Sequence, residues 1–142
     1  MLLNLLLATV MAGTSVLLHF GGLSAITAFS RRYLRPLHAH ESLRPQAFVV
    51  LATVTALAAL HSIEIWTYAF VFHLLNSALS FDEALYFSIS TYTTLGYGDI
   101  VLGHEWRVFG ATEAMIGLLL IGWSTAFLVS VSGRLRVFAP DA

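Results

Sequence analysis

Thr93-Thr94-Leu95-Gly96-Tyr97-Gly98-Asp99 is the stretch on which the reading of this chain turns. Its glycines stand two apart, at 96 and 98. Glycine enters positive φ without a side-chain clash, so glycine at every second position suits a strand whose backbone alternates in handedness. Such alternation turns successive carbonyls to one side, while Leu95 and Tyr97 point to the other. Just upstream, Ser80-Phe81-Asp82-Glu83 has the spacing of a capping box, in which Ser80 and Glu83 satisfy each other's backbone N–H groups. Leu79 and Ala84 occupy the flanking staple positions. The spacing predicts a helix over about 82–93, ended by the glycines. Its dozen residues are too few to cross a bilayer, which takes about 20.

Outward from this short helix the chain is apolar on both sides. Of 142 residues, 58% are hydrophobic and 11% charged, where a soluble domain carries roughly 25% charge. Leu2 to Phe29 holds no charged side chain. Its length and the absence of a basic leader before it favour a retained membrane helix over a cleaved signal. Ala47 to about Leu75 is a second apolar run, interrupted by His61, Glu64 and His73. A third runs from Val108 to Val131 with the single charge Glu113. Irregular backbone at membrane depth is tolerated only inside protein or beside water, so a short capped helix and glycine loop between two long spans reads as re-entrant.

These runs give an all-α membrane protein with three transmembrane helices, a re-entrant helix and an extended loop. The expected divisions are an N-terminal helix over 1–30, a cytoplasmic connector over 31–45, a membrane module over 46–133 and a short tail over 134–142. Within the module the outer helix is expected at about 47–75 and the inner at about 107–132. Arg31, Arg32, Arg35, Arg44, Arg134 and Arg136 fall on one side of that topology, and Arg107 alone on the other. Positive charge stays inside, which places the connector and C-terminus in the cytoplasm and the N-terminus outside, in an inner or plasma membrane. Net charge is −1, so no basic field recruits nucleic acid. The chain has no cysteine, and no Ser-His-Asp set, P-loop or metal motif points to an enzyme or a cofactor.

A row of inward carbonyls can replace the water shell of a bare K⁺. The short helix adds the partial negative charge of its C-terminal end. In sequence and setting, 93–99 resembles the selectivity-filter signature of the potassium-channel family, and the order outer helix, short helix, filter, inner helix resembles its two-helix pore module. The resemblance covers roughly 47–131. It implies K⁺ coordination by Thr94, Leu95, Gly96, Tyr97 and Gly98, with Asp99 at the outer mouth and Trp106 and Arg107 opening the inner helix. It implies a gating hinge at Gly117 and a pore-forming homotetramer whose partners are its own copies, lipid and K⁺. Leu95 stands where the family more often has Val or Ile, an outward apolar position at which selectivity should survive. The helix over 1–30 has no counterpart in the minimal module.

His61 and Glu64 share a helix face, and Glu113 lies one turn from Gly117. The three are expected to form one buried polar network behind the filter, bonded to Ser88, Ser90, Tyr92 or Thr93. That network either braces the short helix or senses protons. His61-x-x-Glu64 offers two metal ligands, short of the three or four that zinc requires. His19 reads as a helix-contact residue. Gly13, Gly21 and Gly22 mark either close helix approach or a kink. Other readings of the chain are a translocating or regulatory subunit of a larger complex, or a weakly selective cation channel.

Overall fold

The computed structural model describes residues 2–34, 43–75 and 79–133. Among them the chain is all-helical: α1 (Leu2–Leu34), α2 (Leu43–Leu75), α3 (Phe81–Tyr92) and α4 (Arg107–Ser132), with a 3₁₀ turn over His104–Trp106 before α4. Three of the helices are long and apolar enough to cross a membrane. At 1.5 Å per residue α1 and α2 are each about 50 Å long, well beyond a hydrocarbon core of about 30 Å.

The expected connector is shorter than its composition suggests. Arg31 to Leu34 continue α1, where cationic side chains complement the negative end of the helix. Leu43, Arg44 and Pro45 already belong to α2, because proline in a first turn removes an N–H that would have no helical partner. Residues 35–42, with Arg35, and the tail with Arg134 and Arg136 lie outside the described residues.

Hydroxyl side chains on the long helices bond back to their own helix. Thr9, Thr14, Thr53, Thr67 and Thr125 each donate to the carbonyl four residues earlier, at 2.7–2.9 Å. These hydroxyls, all but the buried Thr53 on the helix surface, thereby enter an apolar medium without an unpaired donor. Gly22 meets α2 closely: a Cβ there would lie 2.5 Å from the Leu60 methyls. Gly13 and Gly21 have nothing within 4 Å of that position, and α1 runs unbroken through all three. Of the two expectations for these glycines, close approach holds at Gly22.

The core that seats α3 is aromatic. Tyr68, Phe72 and Phe109 are fully or almost fully buried beside Ala84, Leu102 and the α1 residues Ala8 and Met11. Phe72 stands edge-on to Phe87 at 5.1 Å between centroids, a favoured arrangement for two rings. Leu79 packs against this cluster, which contains Ala84, and His73 Nδ1–H donates to the Leu79 carbonyl at 2.9 Å. These contacts hold the end of α2 to the start of α3. The Asn4 amide donates to the Glu105 carbonyl, so α1 begins on the same side as the turn that precedes α4.

Candidate functional site

The short helix α3 begins with a complete capping box. The Ser80 backbone N–H donates to Glu83 Oε2 at 2.8 Å, and the Glu83 N–H donates to Ser80 Oγ at 3.4 Å. Bonding to Ser80 holds the Asp82 and Glu83 carboxyls below their ordinary range. Groups lowered in the folded state stabilise it fully above their ordinary pKa, about 4, and lose that effect as pH falls through the lowered value. Acidification below about pH 4 is therefore expected to loosen the start of α3. Ser80→Ala is expected to cost about 1 kcal/mol and to blunt that acid limb, read in thermal unfolding followed across pH.

At its other end α3 stops at Tyr92, and Thr93 donates its N–H to the Ile89 carbonyl at 3.1 Å. The chain then leaves the helix as an irregular segment. Thr94 has φ of 60°, Gly96 60° and Gly98 79°, and these are the positive-φ residues among those described. Left-handed backbone thus recurs at every second position from 94 to 98. The Gly96 N–H returns to the Ser90 carbonyl at 3.1 Å and the Tyr97 N–H to Ser90 Oγ at 3.3 Å, which fastens the segment along α3. Tyr86 O–H donates to Asp99 Oδ2 at 2.9 Å and fixes its far end. Residues 93–99 are all exposed in the single chain, Tyr97 by 67%. A Cβ built on Gly96 would meet nothing within 4 Å.

Thr94 was not expected to share the glycines' backbone. A β-branched residue at positive φ is an outlier, and such strain persists only where the surroundings impose it. Nothing in the residue type announces it. The alternating pattern of 96 and 98, continued two residues back, is the one signal that does.

Gly117 is buried against the end of α3. A Cβ there would lie 2.3 Å from the Tyr92 carbonyl oxygen and 2.9 Å from its ring. α4 runs unbroken through this position. In the structure Gly117 acts as the place where α4 lets the base of the 94–98 segment come close.

The polar residues behind the segment divide into two groups. Glu113, fully buried, bonds Ser88 at 2.5 Å. Glu64, also fully buried, accepts from Tyr92 O–H at 2.5 Å and lies 3.1 Å from His61 Nδ1. Among the hydrogen bonds of the described residues none joins Glu113 to His61 or Glu64, so the single network expected from sequence is corrected to two. Two members were missed. His19 Nδ1 lies 2.9 Å from Glu64 Oε1, and Ser124 Oγ lies 2.9 Å from His61 Nε2 and 3.3 Å from His19 Nε2. Ser90 and Thr93, named as partners for this network, bond instead to the segment and to α3 itself.

A family model described as an ion channel matches residues 60–132. That stretch takes in the later part of α2, all of α3, the 93–99 segment and α4. The chain belongs to the ion channel family. Comparison with curated proteins and with solved structures gives no match. Among these helices, α1 alone lies wholly outside the matched stretch of the ion channel domain.

Proposed function

We propose that this ion channel is potassium-selective, with four copies of the chain surrounding one axial pore and Thr94 to Gly98 forming the filter. The recurrence of positive φ at Thr94, Gly96 and Gly98 carries the reading. It supports a row of carbonyls facing one way, the ligand set that can stand in for the water around a bare cation. One chain supplies one such row and leaves it open on a side, which favours closure by identical copies around an axis. Leu95 and Tyr97, exposed by 56% and 67%, are then the side chains that meet neighbouring copies. α3 directs the negative end of its dipole at the inner end of the row. Asp99, tied to Tyr86, sits at the outer mouth.

The arginine distribution supports a cytoplasmic C-terminus and an outer N-terminus. The Asn4 bond to Glu105 fits that arrangement, since it sets the start of α1 beside the outer loop.

Purified protein in planar bilayers with opposed K⁺ and Na⁺ gradients tests the proposal. The reversal potential is expected to follow the K⁺ gradient. A value midway between the two equilibrium potentials would make the pore a weakly selective cation channel, and silence in every bilayer would favour a regulatory role. Cross-linking or native mass measurement is expected to give four chains.

A further inference from the structure

Two imidazoles, a carboxylate and a phenol meet around Glu64. We propose that His19, His61, Glu64 and Tyr92 form a site for one zinc-class divalent ion that fastens α1 to the base of the 94–98 segment. This inference does not depend on which ion the pore conducts.

The donor atoms already converge. One nitrogen each of His19 and His61 and one Glu64 oxygen lie within 4.8 Å of one another. The His19 Nδ1 to Glu64 Oε1 separation is 2.9 Å, and that of His61 Nδ1 to Glu64 Oε2 is 3.1 Å. The Tyr92 hydroxyl joins them, 2.9 Å from His61 Nδ1 and 2.5 Å from Glu64 Oε2. Ligands bound at 2.0–2.1 Å in a tetrahedron stand about 3.3 Å apart. His19 meets one Glu64 oxygen while His61 and Tyr92 meet the other, so an ion would sit between the two sides of the carboxylate after side-chain movement.

The far side of both rings is arranged as zinc-bound histidines require. Imidazoles that ligate through Nδ1 carry their proton on Nε2 and need an acceptor for it. Here both Nε2 atoms face the same oxygen, Ser124 Oγ, at 2.9 and 3.3 Å. That oxygen can accept from both once an ion fixes the two tautomers alike.

Charge balance sets a condition on the ligand set. His19 and Glu64 are fully buried, so any occupant must leave the site close to neutral. A divalent ion, one carboxylate and one phenolate sum to zero with two neutral imidazoles. The phenol proton of Tyr92 passes to bulk solvent as the metal–oxygen bond forms. His61 keeps 18% of its side chain exposed in the single chain. Nitrogen and hard oxygen donors in a tetrahedron suit zinc, and cobalt(II) as its spectroscopic substitute.

The test uses the full, untagged chain in detergent, stripped with a chelator and dialysed against zinc chloride. Elemental analysis is expected to find one zinc per chain, and cobalt chloride is expected to give the intense visible band of a tetrahedral site. His19→Gln keeps a donor for Glu64 but is a poor ligand, and is expected to abolish both signals while the protein elutes at its wild-type size. If His19→Gln does not fold, Ser124→Ala serves instead, with affinity expected to fall about 10- to 100-fold. Absence of saturable zinc in the wild-type protein overturns the proposal, as does unaltered binding in the variants.

Discussion

Gly96→Ala is expected to reduce K⁺ flux into liposomes to the level of protein-free vesicles while the protein still assembles. The substitution meets no neighbour inside the chain, so its effect is one of backbone conformation. At φ of 60° an L side chain costs roughly 1–2 kcal/mol, and the proposed fourfold arrangement would impose that cost on every copy at the same ring. The cheapest relief is for residue 96 to leave the left-handed region, which swings its carbonyl out of the row. Conduction therefore falls much further than stability. Wild-type flux in Gly96→Ala would remove the filter assignment. Leu95→Val, which alters an outward side chain and leaves the carbonyls alone, is the matched control and should conduct.

The second large effect is expected at Gly117. An alanine methyl there would stand 2.3 Å from the Tyr92 carbonyl oxygen, and backbone cannot rotate aside as a side chain can. Either α3 or α4 must shift, at about 1–3 kcal/mol or more per chain. Loss of the assembled protein on gel filtration and a lowered thermal midpoint are the expected readouts. Gly122→Ala separates this account from the hinge account. Nothing lies within 4 Å of a Cβ at 122, and replacing a helical glycine by alanine favours the helix by roughly 0.5–1 kcal/mol. That variant should be neutral or slightly more stable. If Gly117→Ala instead assembles normally and alters only opening, bending rather than close approach is the reason for glycine at 117.

Local signals were legible in the sequence to the extent that they are local. The capping box at Ser80 and Glu83 has both of its bonds, because its partners are three residues apart and need no tertiary register. Three apolar runs became three long helices for the same reason. Glycine spacing pointed to Gly96 and Gly98 but not to Thr94, whose backbone is set by its neighbours rather than by its type. The polar residues were harder. His61 and Glu64 share a helix turn and were paired at once, whereas His19 reaches Glu64 across 45 residues and Ser124 reaches His19 across 105. Those contacts depend on how α1 is rotated and slid against α2 and α4, and a uniformly apolar helix carries little periodicity from which to read either.

The side of the 94–98 segment left bare in a single chain has a genetic consequence. On the proposed arrangement each copy contributes one quarter of every coordination ring, so a copy that assembles but cannot conduct spoils the three it joins. In a cell expressing equal amounts of wild-type protein and Gly96→Ala, random mixing would leave about one assembly in sixteen wholly wild type. Such an allele would be dominant, whereas one that prevents assembly, as Gly117→Ala should, would be recessive.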